Sequence, residues 1–77
     1  MNVTCDIDAK GLACPMPLLK AKLALNDLES GQAVKVHTTD QGSIKDFKTY
    51  TDISGHQLLS AIECDGVYTF VIVKTEQ

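Results

Sequence analysis

Polar and apolar positions alternate from the start of the chain: Val3, Cys5 and Ile7 fall on one face, Asn2, Thr4, Asp6 and Asp8 on the other. A period of two over residues 2–8 predicts a half-buried β-strand. Lys10-Gly11 breaks the pattern, and the period changes. From about Pro15 or Pro17 to Leu28, the residues Leu18, Ala21, Ala24, Leu25 and Leu28 gather into one stripe about 120° wide, the core face of a helix. Proline suits a first helical turn, where its missing N–H is no loss, and Gly31 is the expected stop. Residues 33–39 read as a second strand, with Val34 and Val36 alternating against Lys35 and His37. A second helix is expected from Ser43, where Ser43-x-x-Asp46 resembles a capping box and Asp40 is a competing cap. Ile44, Phe47 and either Tyr50 or Thr51 follow at helical spacing, and Gly55 ends the helix. Residues 57–64 and 67–74 flank Asp65-Gly66, a strong hairpin signal.

The order βαβαββ predicts one domain over residues 1–77, an α/β (α+β) two-layer sandwich. Two helices cover one face of a four-stranded mixed sheet. The strand-helix-strand crossovers make their strands parallel, and the hairpin adds one antiparallel strand. The segment 67–73 is apolar on both faces, which places it centrally or leaves an apolar patch for a partner. Tyr68, Phe70 and Ile72 offer a surface for association, so monomer or weak dimer is the expected state.

The chain has 77 residues and a net charge of −3, and its seven basic residues are all lysines. Arginine is the preferred side chain for bidentate contacts to phosphate and guanine. Its absence, with the acidic balance, argues against tight direct binding of nucleic acid and favours a protein or small-molecule partner. No apolar run approaches the roughly 18 residues of a membrane span. The first residues lack the basic start and apolar stretch of a signal peptide, so a cytoplasmic location is expected. Cys5, Cys14 and Cys64 make an odd set without metal-knuckle spacing, and three free thiols with no metal or organic cofactor is the simplest expectation.

Chemistry is expected at Cys14, in Gly11-Leu12-Ala13-Cys14-Pro15-Met16-Pro17. A residue before proline is pushed towards extended geometry, which sets Cys14 near the N-cap of the first helix. The helix dipole and free N–H groups favour a thiolate there. Lys10 and Lys20 are candidates to add positive charge. Three residues on, where a dithiol oxidoreductase has its resolving cysteine, stands Pro17. A hydrolase needs a base and an oxyanion hole, and His37 and His56 are the only imidazoles. An accessible thiol without partners suits covalent carriage of a group between proteins, and sulfur fits well. A buried structural cysteine beside a proline-rich turn is the competing reading. Cys5 shares a strand face with Val3 and Ile7 and reads as core. Cys64, beside the Asp-Gly turn, reads as a spectator.

The run Asp8-Ala9-Lys10-Gly11-Leu12-Ala13-Cys14-Pro15-Met16-Pro17 resembles the signature of the TusA/SirA/YedF family of small sulfur-carrier proteins, in which a strand leads to Gly-x-x-Cys-Pro-x-Pro at the first helix. Residues 18–25, Thr38-Thr39-Asp40 and the closing hairpin are similar too. The resemblance implies a fold like the C-terminal domain of translation initiation factor three. It implies that Cys14 accepts persulfide sulfur from a cysteine desulfurase or rhodanese-like donor and passes it to a downstream acceptor protein, with Gly11, Pro15, Pro17 and Asp40 supporting the motif. Family branches serve 2-thiouridine formation in tRNA, sulfur oxidation, thiosulfate use and molybdenum-cofactor maturation. Met16 stands where tRNA-thiolation members often carry Glu, and Gln41 where many relatives have Pro. Both departures weaken assignment to the tRNA branch.

Leu19 and Leu23 lie on a strip of the first helix away from the core stripe, flanked by Lys20, Lys22, Asn26 and Asp27. They are expected to form a docking ridge for the sulfur donor or acceptor, with packing against loops as the alternative. Two other functions compete. A regulatory or RNA-binding module rests on fold analogy alone. A thiol-redox sensor pairing Cys14 with Cys5 or Cys64 predicts an intramolecular disulfide.

Overall fold

In a computed structural model, which describes residues 3–13 and 15–75, the period-two segments are four strands and the period-3.6 segments two helices. In chain order they are β1 (Cys5–Ala9), α1 (Met16–Asn26), β2 (Ala33–Thr38), α2 (Ser43–Ser54), β3 (Gln57–Cys64) and β4 (Val67–Val73). The sheet order is β1-β2-β4-β3. β1 and β2 are parallel, and β4 is antiparallel to both β2 and β3. The last strand is therefore central, as its two apolar faces require. Cys5, Ile7 and Ala9 stand beside Val34, Val36 and Thr38, which stand beside Ile72, Phe70 and Tyr68. This is the covered face of the sheet, and Phe47 of α2 stacks on Phe70 there at 4.5 Å between ring centres.

Four expectations are corrected. α1 ends at Asn26, with Asp27 still helical as C-cap. A tighter turn carries the chain on, the Leu28 N–H reaching the Leu25 carbonyl, so Leu28 still packs against the core without belonging to the helix. Gly31, at φ +92°, shapes the entry to β2 rather than the helix end, its N–H donating to the Lys74 carbonyl. The capping box at Ser43 does not form as predicted: Gly42 is the N-cap, without a side-chain cap bond. The Ser43 hydroxyl is instead turned inward onto Thr38 Oγ1 at 3.3 Å. With Ser43, Phe47 and Thr51 inward, Ile44 is left 46% exposed and Tyr50 half-buried. Finally, Phe70 and Ile72 are fully buried beneath the helices and Tyr68 packs against the same core, so this trio is not a dimer surface.

Several other details of the fold match expectation. In α1, Ala21 and Leu25 are buried and Leu18 and Ala24 pack against the core, joined by Pro17, which the apolar stripe did not include. Gly55 ends α2 at φ +84°. Asp65 and Gly66 both take positive φ, the geometry of a two-residue hairpin. Cys5 packs against the core and Cys64 is exposed. Among the described residues, no helix is long and apolar enough to cross a membrane.

Candidate functional site

Because β1 and β2 run parallel and each leads into a helix, the N-termini of α1 and α2 start from the same end of the sheet. Two loops meet there, residues 10–15 after β1 and 39–42 after β2. In the first, Asp8 Oδ1 accepts the Lys10 N–H at 3.0 Å, and Gly11 turns the chain at φ +81°. The Gly11 N–H then crosses to Thr39 Oγ1 in the second loop at 2.9 Å. In that second loop, the Asp40 N–H donates to Thr38 Oγ1 at 3.1 Å, and Asp40 Oδ1 accepts the Gly42 N–H at 3.3 Å. Asp40 thus shapes the loop opposite the motif.

Pro15 is the N-cap of α1, and the Met16 N–H donates to the Ala13 carbonyl at 2.9 Å. Cys14, expected near this N-cap, lies outside the described residues. Pro17 is buried in the first turn and anchors the helix start against the core. The first turn holds no acidic side chain, and α1 carries Lys20 and Lys22 with no acid at all. Lys10 and Lys20 are both exposed.

The docking ridge expected on α1 is open to solvent. Leu19 is 43% and Leu23 58% exposed, and Met16 continues the strip at 42%. Packing against loops, the alternative for these leucines, is not observed. Lys20 flanks the strip on one side. On the other a groove of about 490 Å³ runs between the helices, lined by Leu18, Lys22, Lys45, Tyr50 and Ile53 among others. Ile53, 81% exposed, was not foreseen as part of this surface. Its signal in the sequence was an apolar residue on the outer side of an otherwise polar helix. Lys22 lies over the Tyr50 ring, its Nζ 5.2 Å from the centre. Burial raises the Tyr50 phenol above its ordinary value, and a hydrogen bond with Ser54 offsets part of that rise.

The two imidazoles stand elsewhere. His37 joins Asp6 (Nε2 to Oδ1, 3.0 Å) and Thr69 (Nδ1 to Oγ1, 3.1 Å) on the uncovered sheet face. His56 Nδ1 accepts the Thr75 N–H at 3.2 Å beyond the other end of α2. Among the described residues, no group of three His, Cys, Asp or Glu side chains could hold a metal ion.

Residues 6–74 match the family described as Sulfurtransferase TusA. The chain belongs to the TusA family. It is 43% identical over 70 residues to the sulfur carrier protein TusA of Allochromatium vinosum, covering 91% of this chain and 92% of that one. It is 46% identical over 68 residues to YrkI of Bacillus subtilis, covering 88% of this chain and 91% of that one. The crystal structure of a SirA-like protein from Desulfitobacterium hafniense superposes with a TM-score of 0.83 at 35% identity, over 94% of this chain and 99% of that chain. The TusA-family fold of a four-stranded mixed sheet under two helices is thus shared with a solved relative.

Proposed function

We propose that this protein is a cytoplasmic sulfur carrier that takes persulfide sulfur on Cys14 and hands it to an acceptor protein. The observation that carries the reading is the motif segment, Gly11 to Pro17, tied by the Gly11–Thr39 bond to the end of the sheet where both helix N-termini begin. Membership of the TusA family and the likeness to a relative named as a sulfur carrier support it.

The transfer balances without an oxidant. The Cys14 thiolate attacks the outer sulfur of the donor's persulfide and a new S–S bond forms. The donor's S–S bond breaks, the donor cysteine leaves as a thiolate, and Cys14 holds the persulfide. The acceptor's thiolate repeats the step in turn. A cysteine desulfurase or a rhodanese-like protein suits the donor role, because each presents a persulfide. Met16, Leu19 and Leu23, with Lys20 beside them and the α1–α2 groove adjoining, suit the docking of donor and acceptor by their exposure and their place just beyond the motif. Delivery towards 2-thiouridine in tRNA is one destination among several, given Met16 and Gln41.

Intact-mass analysis after incubation with a cysteine desulfurase and cysteine, or a rhodanese and thiosulfate, tests the proposal. One sulfur added to the wild type and none to Cys14→Ser is the expected result. A wild-type protein that both donors leave unmodified overturns it. Tight, steeply salt-dependent RNA binding that ignores Cys14→Ala turns the assignment to a nucleic-acid-binding module.

A further inference from the structure

At the foot of the second loop lies a pair of buried hydroxyls. Thr38, the last residue of β2, is fully buried, and Ser43, the first of α2, is 2% exposed. Their oxygens stand 3.3 Å apart, and either can be the donor. Thr38 Oγ1 also accepts the Asp40 N–H at 3.1 Å, and the Asp40 carbonyl accepts the Ser43 N–H at 3.1 Å. Three hydrogen bonds thus close a ring through Thr38, Asp40 and Ser43. Hydroxyls taken out of water are costly unless they find partners, and these two find each other. The start of α2 does not use the Ser43 hydroxyl, because the helix has no side-chain cap bond. What the ring fixes is the loop between the strand and the helix.

Thr39 is the residue held between two members of that ring, and it is exposed. Its Oγ1 accepts the Gly11 N–H at 2.9 Å, which ties the second loop to the motif loop. An exposed hydroxyl competes with water for its partner, and it keeps the partner when the backbone carrying it is already ordered. We infer that Thr38 and Ser43 are positioning residues for the chemistry of the motif: their buried ring holds Thr39 in place to bond Gly11 and so, given the sulfur-carrier role proposed above, sets the loop that presents Cys14. Neither residue needs to touch the thiol. Their effect passes through Thr39, and that route separates them from an ordinary buried polar pair.

Thr51 supplies the comparison. It is a buried threonine of α2 whose hydroxyl bonds the Phe47 and Lys48 carbonyls of its own helix. Thr38→Val and Thr51→Val each keep the side-chain shape and each lose a buried hydroxyl, but Thr38→Val alone opens the ring. Thr38→Ser keeps the oxygen and with it the ring.

Two measurements test this: amide exchange of Gly11 followed by NMR, and the rate at which Cys14 takes sulfur from a small inorganic polysulfide, whose shortened chain leaves as one sulfur stays. Thr38→Val should speed Gly11 exchange and slow loading several-fold, and Thr38→Ser should restore both. Ser43→Ala, which leaves the Asp40 bond in place, should do the same by less, and it keeps the test open should Thr38→Val fail to fold. Thr51→Val should change neither rate. In a Thr39→Val background, Thr38→Val should slow loading no further, because the route is already cut. Unchanged Gly11 exchange in both Thr38→Val and Ser43→Ala overturns the inference. So do losses that add in the double variant, and so does a Thr51→Val protein that loads as slowly as Thr38→Val. A wild type that takes up no sulfur overturns the carrier role and with it the consequence for Cys14, while the exchange rates decide the ring by themselves.

Discussion

Gly11 and Thr39, 28 residues apart, are joined by a hydrogen bond of 2.9 Å from the backbone N–H of the first to Oγ1 of the second. It links the loop that carries Cys14 to the loop that leaves β2, at the end of the sheet where both helices begin. The motif loop is thereby fixed at its glycine as well as at Pro17, buried under the start of α1.

Thr39→Val keeps the side-chain shape and removes the acceptor. Both groups are exposed, so water replaces the lost partner and the stability cost stays at or below about 1 kcal/mol. The loop gains freedom, and persulfide loading of Cys14 should slow several-fold. Denaturant unfolding and a mass-resolved loading time course measure the two effects. Equal loading rates in variant and wild type would mean that the bond plays no part in presenting the thiol.

Gly11 has φ +81°, and a Cβ added there meets nothing within 4 Å. The penalty for Gly11→Ala is therefore one of backbone conformation alone, about 1 kcal/mol, and Gly11→Asn should recover part of it. Urea midpoints of the two variants check this. A Gly11→Ala protein as stable as the wild type would show that the loop relaxes out of the left-handed region at no cost.

Most of the fold was legible because side-chain period and turn chemistry agree. Val34 and Val36 alternate, Gly55 and Asp65-Gly66 take the positive φ values their places demand, and the doubly apolar β4 is central. What was illegible depends on contacts distant in sequence. Ser43 looks like a cap, yet Thr38 draws its hydroxyl inward, and that rotation sets Ile44 outward. Tyr68, Phe70 and Ile72 looked available because periodicity cannot say which sheet face the helices cover. At the site, the Cys-Pro-x-Pro motif was evident. Thr39 was not singled out as a site residue, because a threonine after a strand announces no partner until the parallel pairing of β1 and β2 brings Gly11 to it.

Tyr50 makes stability depend on alkaline pH. Its phenol, raised above 10.0 chiefly by burial, holds its proton more tightly in the folded protein than in the unfolded chain. Its contribution is whole below pH 10 and is lost as pH rises through the folded-state value. The difference in unfolding free energy between wild type and Tyr50→Phe should be flat from pH 7 to about 10 and should move against the wild type above it. Parallel denaturant titrations of the two proteins measure this difference, and a constant gap to pH 11 would contradict the role given to Tyr50.

Leu23 tests the docking surface most cleanly. It is 58% exposed on α1, where it makes a ridge with Leu19 and Met16. Lysine is a good helix former, so Leu23→Lys should change stability by no more than about 0.5 kcal/mol. A charge at the centre of an apolar contact removes buried area and sets an ammonium where the partner is apolar. Transfer from a protein donor should therefore fall about tenfold, while uptake of sulfur from a small inorganic polysulfide, which needs no docking, stays unchanged. The two loading rates separate the surface from the thiol. A drop in both would place the defect at Cys14, and a drop in neither would mean that donor and acceptor approach by another face.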